Sequence, residues 1–339
     1  MVPCTLGIDV GGTKVLGVAI DEHQKVFAEA RVSTPLSHHQ VSDPDAAARV
    51  IEAIAAVVSQ LLSAAGLEGS NVALGVGIPG LVDDSGTMHF APNLPAGVGV
   101  DFRPRVMEVT GLSEVVIDND ATCAAIGEWQ LGAARGATDA IIVTLGTGIG
   151  AGIIANNALV RGAHGYAGEA GHMVVDPSGP LCSCGRRGCW ERYASGSGLA
   201  RLARESASAG RLGEVVALAK GDAESVRGEH VTEAAAASDP GALEVMAEFG
   251  WWIALGVANL TALLDPSVVV LGGGLAQAGD LLINPTRLAY EQIAYARSDA
   301  NRVEIVRAEL GELAGAVGAA VLAEAGITSR TDLRQLRRR

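Results

Sequence analysis

Aromatic residues are scarce in this chain: Phe, Trp and Tyr make up 4% of its 339 residues, against 49% hydrophobic residues in total. Its core must therefore be aliphatic, rich in Ala, Val, Leu and Ile. Basic residues are also in deficit, with 25 Lys and Arg against 38 Asp and Glu and a formal charge of −13. That balance argues against a nucleic-acid binder, because phosphate contacts need a basic surface. No uninterrupted apolar run of roughly 18 residues occurs, so no membrane span is implied. The opening "MVPCTLGIDVGG" has no charged n-region and no cleavable apolar run, so no signal peptide is expected and the chain fits a cytoplasmic protein. Cysteines number five and are sparse outside one cluster, as in a reducing compartment where thiols bind metal rather than cross-link. The P-loop pattern G-x-x-x-x-G-K-[ST] is missing, which removes that class of nucleotide binder.

What the chain has in quantity is glycine, 44 residues, which suits an α/β protein with many tight turns and backbone-lined sites. The length allows two domains. "CTLGIDV", "KVLGVAI" and "KVFAEARVS" read as three strands, and a helix is predicted from about Pro44 to Ala65 with its stop at Gly66. "VALGVGIPG" reads as a buried strand, "SEVVIDN" as a shorter one, and "ATCAAIGEWQLGAA" as a helix. The second half repeats this order: "DAIIVTLGTGIGAGIIANNALVRG" gives three strands, "PSVVVLGGG" a buried strand, and "RVEIVRA" a short strand before a helix from about Glu312 to Ala325. The repetition predicts two duplicated α/β domains around a cleft, with the cysteine segment and several helices inserted in the second copy. We expect a first domain of residues 1–118, joined by a C-terminal helix at 312–326, and a second of 119–311. The basic tail 327–339 is expected to be frayed.

Two glycine turns stand at equivalent places. In "DVGGTK", Gly11 and Gly12 permit a tight hairpin whose backbone N–H groups face a phosphate, with the Thr13 hydroxyl as a further donor and Lys14 beside it. Asp9, at the strand end, could orient Mg²⁺ through water. An ordinary glycine hairpin explains the same residues. "LGTGIGAG" places Gly146, Thr147 and Gly148 in the corresponding turn. Its glycine spacing invites a dinucleotide-binding reading, which fails because strand rather than helix follows. Two such hairpins suit a nucleoside triphosphate better than either does alone. Gly272, Gly273 and Gly274 end a buried strand and would let an adenine ring approach the backbone, or simply serve a strand-to-helix turn.

Asn119 and Asp120 lie where a strand ends and a helix starts, the place where ligands gather in open α/β sheets. Asp120 can accept a proton from an attacking hydroxyl and Asn119 can hold a neighbouring one, although Asp also caps helices in any protein. Asp118 competes for the role of base, but strand alternation points it away from its neighbour. "GHMVVDPSGPLCSCGRRGCWE" gathers His172, Cys182, Cys184 and Cys189, a complete tetrahedral zinc set with no position open for water. A closed set argues for a structural metal, with a disulfide as the alternative. Glu169 and Glu191 flank it, placed to grip hydroxyls or to stand as solvated loop charges.

Together "DVGGTK", "NDA", "LGTGIGAG", "GEAGHMVVDPSGPLCSCGRRGCWERYASG" and "VVVLGGG" resemble the ROK family of bacterial sugar kinases and sugar-responsive repressors, in order and spacing from about residue 5 to about 325. "CGRRGCWERYASG" and "NLTALLDPSVVVLGGGL" look most like its glucokinases of actinobacterial type. The resemblance implies an actin-like ATPase (ribonuclease H-like) fold with a zinc-binding insertion, ATP and Mg²⁺ as cofactors, and structural Zn²⁺ on His172 and the three cysteines. It implies Asp120 as catalytic base, and sugar contacts from Asn119, Glu169, His172 and Glu191, the histidine touching both zinc and sugar. "GIPG", ending at Gly80, and "APNLP" around Asn93 match segments that line the sugar pocket. The repressor branch carries a DNA-binding segment ahead of the first strand, which here begins at Thr5, so the kinase branch is expected. The implied activity is phosphorylation of glucose at its 6-hydroxyl. "NLPAG", where several glucokinases carry Trp two residues after "NL", leaves other hexoses and N-acetylhexosamines open, and polyphosphate remains a possible donor. The expected partners are a hexose and ATP, with no nucleic acid and no membrane, in a homodimer or homotetramer.

Overall fold

The computed structural model describes residues 4–35, 43–83, 85–92, 94–295 and 303–326; Asn93 and the tail 327–339 lie outside them. The three opening apolar runs form an antiparallel meander, β1 (Cys4–Val10), β2 (Lys14–Asp21) and β3 (Val26–Ser33). Helix α1 (Ala46–Ala65) follows and ends where expected: Gly66 takes the left-handed conformation and its N–H reaches back to the helix carbonyls. β4 (Ala73–Ile78) then pairs parallel with β1. A small hairpin of β5 (Leu81–Val82) and β6 (Met88–Phe90) and helix α2 (Phe102–Thr110) intervene before β7 (Val115–Asn119), which runs straight into α3 (Asp120–Leu131). The sheet order is β3-β2-β1-β4-β7.

The second half begins with β8 (Ala140–Leu145), β9 (Ile149–Ala155) and the short β10 (Ala158–Leu159). Five helices come next: α4 (Glu191–Ala194), α5 (Gly196–Ser208), α6 (Gly213–Leu218), α7 (Gly228–Ala236) and α8 (Pro240–Leu264). β11 (Val268–Gly272), α9 (Asp280–Ile293), β12 (Glu304–Arg307) and α10 (Ala314–Glu324) complete the chain. The order β10-β9-β8-β11-β12 repeats that of the first sheet strand for strand. β11 pairs parallel with both β8 and β12. The duplicated pattern read from the sequence is therefore a duplicated topology, the actin-like ATPase-type arrangement of mixed sheets. Helices α1 and α8 have the length and apolar composition of membrane spans. Their apolar faces are instead buried in protein, through Val50, Ile54, Val57 and Leu61 on α1 and Phe249, Ile253 and Val257 on α8.

Two compact units divide the chain: Met1–Thr138, Gly152–Gly168 and Glu312–Arg339 form one, Asp139–Ala151 and Glu169–Gly311 the other. The boundary expected after residue 118 moves to Thr138, so α3 belongs to the first unit. The reason is α10, which lies against α3 at backbone distance: a Cβ on Gly318 would stand 1.7 Å from the Cys123 carbonyl oxygen, and one on Gly127 2.4 Å from that of Ala314. The same helix presses on the first sheet, where a Cβ on Gly7 or Gly75 would meet the carbonyl oxygens of Ala316 or Ala319 at 1.9 and 1.8 Å. The stretch 314–323 of this helix, only Ala, Gly, Val and Leu and buried on every side, fits this slot because nothing larger would.

Gly75→Ala should force α10 off β4 and lower stability by about 2 kcal/mol, the usual cost of overpacking. Gly213→Ala, with open space around its Cβ, should change it by less than about 0.5 kcal/mol. Denaturant unfolding of the two variants beside the wild type checks the difference.

Candidate active site

In the first unit the candidate catalytic residues gather at the junction of β7 and α3. Asn119 is the N-cap of α3: its Oδ1 accepts from the Thr122 N–H at 2.9 Å. Its Nδ2 donates to the Gly80 carbonyl and to Asp120 Oδ1, both at 3.0 Å. Asp120 Oδ1 also accepts from the Ala121 N–H at 2.8 Å. These contacts fix the plane of the Asp120 carboxylate. Burial pushes its pKa up to about 6, outweighing the hydrogen bonds from Ala121, its own N–H and Asn119 that pull it down. The neighbouring strand β4 approaches closely, since a Cβ on Gly77 would lie 3.3 Å from the Asp120 Cα. Gly80 has φ +122°, and a Cβ there would strike the Phe90 carbonyl at 2.5 Å, so only glycine fits.

Asp9, near the end of β1, is a second acid whose titration the Asp120 charge affects. Burial and then the charge of Asp120 raise its pKa to about 7, with Lys14 acting in the opposite sense. Gly315 at the start of α10 leaves room for it: a Cβ there would fall 2.6 Å from the Asp9 carboxyl carbon. The following turn closes through the Gly11 N–H to the Lys14 carbonyl at 3.0 Å, and Thr34 ties it down by bonding the carbonyls of Gly11 and Thr13. Gly12 and Thr13 stand exposed. Lys14 is engaged in an ion pair with Glu312, which also faces Arg31 at 3.7 Å. Asp118, weighed above as a rival base, has its carboxylate taken by Arg161.

In the second unit His172, Cys182, Cys184 and Cys189 place their ligand atoms within 4.8 Å of one another. His172 Nδ1 lies 3.6 Å from Cys182 Sγ, and Cys184 Sγ lies 3.5 Å from Cys189 Sγ. All five cysteines of the chain are free thiols. Donors around a tetrahedral zinc ion stand about 3.7 Å apart, given metal–sulfur bonds of about 2.3 Å, so the donor set and its spacing fit zinc. The cluster is rigidly backed. Trp190, between Cys189 and Glu191, is fully buried, donates its indole N–H to the Trp252 carbonyl at 2.8 Å, and lies flat enough on α8 that a Cβ on Gly256 would enter its ring. The two flanking acids meet the cluster: Glu191 Oε1 is 2.9 Å from Cys182 Sγ and 3.8 Å from His172 Nδ1, and Glu169 Oε2 is 3.9 Å from His172 Nε2. Nδ1 thus faces the thiols while Nε2 faces the more exposed Glu169.

The glycine turns of this unit converge. Gly146 N–H bonds the Gly148 carbonyl at 3.0 Å, and the Gly146 carbonyl accepts from Gly196 at 2.8 Å. Gly148 borders Glu191, whose Oε2 a Cβ would meet at 2.9 Å. Gly273, at φ +79°, sits against Leu145, the residue before this turn, so Gly272, Gly273 and Gly274 lie beside Gly146, Thr147 and Gly148. Sequence reasoning passed over Arg161, Glu312, Gly196 and Gly315. For Arg161 there was no local signal, because its partner is 43 positions away.

A family model described as the ROK family matches residues 5–325. The glucokinase of Streptomyces coelicolor is 38% identical over 327 residues, covering 94% of this chain and 97% of that one. The glucokinase of Halalkalibacterium halodurans is 34% identical over 316 residues, covering 92% of each. Among solved structures, a ROK family glucokinase from Streptomyces griseus in complex with glucose and AMPPNP is 38% identical, with a TM-score of 0.83 over 95% of this chain and 99% of that one. On these matches, with a cysteine-histidine cluster in a fold of two duplicated mixed sheets, the chain belongs to the ROK family.

Proposed function

We propose that the chain is an ATP-dependent hexokinase acting on the 6-hydroxyl of glucose, with Asp120 as general base. The observation that carries this reading is the Asp120 carboxylate itself, held at the head of α3 by Asn119 and Ala121, with its proton affinity raised to about 6. A base tuned near neutrality takes a proton efficiently and holds it. The similarity to glucokinases over nearly the whole chain supports the substrate class.

In the proposed reaction the sugar oxygen bonds to the γ-phosphorus as the bond to the bridging oxygen of ADP breaks, and Asp120 receives the hydroxyl proton. Phosphoryl transfer asks the protein mainly for positioning and charge neutralisation. To the sugar hydroxyls we assign Asn119 and the Gly80 and Asn93 segments, with Glu169, His172 Nε2 and Glu191 from the second unit. To the phosphates we assign the backbone N–H groups of Gly12 and Thr13 and of Thr147 and Gly148, in turns that the N–H groups of Gly11 and Gly146 close, and to adenine the Gly272–Gly274 backbone. Lys14 would reach phosphate by leaving Glu312. Mg²⁺, when bound, neutralises charge on the phosphates. The hard oxygen donors of Asp9, whose carboxyl is raised toward 7 with a second acid near it, fit such a cation, held directly or through water. Zinc on His172, Cys182, Cys184 and Cys189 would hold the sugar-contacting residues in place.

A coupled assay over a panel of hexoses, with ATP and with polyphosphate, should give the highest kcat/KM for glucose with ATP; turnover of no hexose would overturn the reading. Asp120→Asn should lower kcat by about 10²–10⁴-fold, with sugar binding measured by calorimetry nearly unchanged. Because the Asp120 carboxyl keeps its proton up to about pH 6, kcat should rise with pH through about 6 and level off above it. An acid limb set near pH 4, where an ordinary carboxylate titrates, would contradict this. Cys184→Ser should lose zinc by metal analysis and raise the KM for glucose about 10-fold or more; zinc lost with an unchanged KM would separate the cluster from the sugar site.

A further inference from the structure

We infer that Arg161 is a positioning residue for the phosphorylation step, acting through Asp118 on Asn119 and Asp120. The inference rests on the assignment of Asp120 as base. Asp118, Asn119 and Asp120 are consecutive, and the first of them is locked. Arg161 Nη1 donates to Asp118 Oδ1 at 3.0 Å and Nη2 donates to Oδ2. Oδ1 also accepts the backbone N–H of Asn119 at 2.8 Å. Asp118 is buried and Arg161 nearly so, their side chains 9% and 14% exposed. A guanidinium and a carboxylate meeting two-to-two lie in one plane, so the contact sets an orientation and not merely a distance. That orientation passes to the peptide of Asn119, and through its side chain to Asp120 Oδ1 and the Gly80 carbonyl.

The other end of Arg161 is anchored as well. Its carbonyl accepts from the Ala167 N–H at 3.1 Å, closing a loop that Gly162 opens in the left-handed region at φ +75°. In that loop Tyr166 stands with its ring 6.0 Å from His89 on β6, and His89 bonds Asp83 at 2.6 Å. β6 in turn backs Gly80, whose φ and close contact with Phe90 were described above. One loop therefore supports the Asn119–Asp120 pair from both sides, through Asp118 beneath it and through the β5–β6 hairpin beside it. An ion pair serving stability alone would have no need to sit on the residue that feeds the N-cap. This one does, and it bonds the N-cap residue's own N–H.

The test uses the full chain and three variants. Arg161→Gln removes one charge and leaves Asp118 buried without its cation. The double variant Asp118→Asn with Arg161→Gln removes both charges and strands neither. Arg161→Lys keeps the charge but not the fork. We expect Arg161→Gln and the double variant to lose about 100-fold in kcat/KM for the hexose, the scale of a misplaced reacting group. The KM for ATP should move by less than about 3-fold, and Arg161→Lys should recover about 10-fold of the loss. Wild-type hexose kinetics in the double variant would overturn the proposal and leave the pair a structural one; so would equal losses toward ATP and hexose that follow thermal stability. Hydrogen exchange decides the linkage without catalysis. The Thr122 amide, which bonds Asn119 Oδ1, should exchange about 10-fold faster in the double variant, and an unchanged rate would also overturn the proposal. If the wild-type chain phosphorylated no hexose, the assignment of Asp120 would fall and the kinetic role of Arg161 with it, whereas accelerated Thr122 exchange would then show the structural linkage standing alone.

Discussion

Close backbone packing around α10 is the constraint on which the first unit depends. Ordinary helix-to-sheet packing interposes side chains, but here the helix carbonyls of Ala316 and Ala319 face glycines of β1 and β4, and Gly318 faces the Cys123 carbonyl of α3. Protein interiors tolerate little overlap, so the small residues of α10, α3 and the strands are one requirement and not several. The consequence reaches the chemistry. Asp9 has room because Gly315 has no side chain, and Asp120 begins the helix that α10 holds against the sheet. With few aromatic residues to fill space, the chain reaches density by bringing backbones together.

That density explains the direction in which the acids titrate. An acid in the first turn of a helix is ordinarily favoured in its charged form, by a few tenths to about 1 kcal/mol. Asp120 has that position, and three hydrogen bonds besides, yet burial wins and its pKa rises to about 6. Asp9, on β1, is raised further, to about 7, by burial and then by the charge of Asp120. Two carboxylates held together in low dielectric are poor for stability and useful for chemistry, since one can take a proton while the other attracts a cation.

The second unit solves a different problem, that of holding polar side chains on a segment with little regular structure between Glu169 and α4. Its residues lie in turns and short 3₁₀ pieces, which alone would not fix a histidine and two glutamates. A metal held by the four clustered donors would cross-link that segment, and Trp190 ties it to α8 through its buried ring and its hydrogen bond to Trp252. With all four donors spent on structure, a metal there has no vacancy for substrate. In the proposed function its effect on chemistry would pass through Glu191, beside Cys182, and the second nitrogen of His172, which faces Glu169.

What was legible in the sequence divides along physical lines. The buried strands β1, β4, β8 and β11 showed as apolar runs, and the stop of α1 at Gly66 showed as a glycine, because those features depend on residues close together in the chain. The cysteine-histidine spacing was legible for the same reason. The boundary after residue 118 was not, because what assigns α3 to the first unit is α10, nearly two hundred residues later in the chain. Lys14 read as free for phosphate because Glu312 is 298 positions away. Asp118 and Asp120 make the point most sharply. They are the same residue type two positions apart, and only the turning of Asp118 away from Asn119 and the family resemblance distinguished them. The partner that makes the distinction physical is Arg161: it fills the valences of Asp118 and leaves Asp120 as the acid whose fate burial decides. A residue's chemistry is set by what is left unpaired around it, and pairing across long separations is the information a single sequence does not carry.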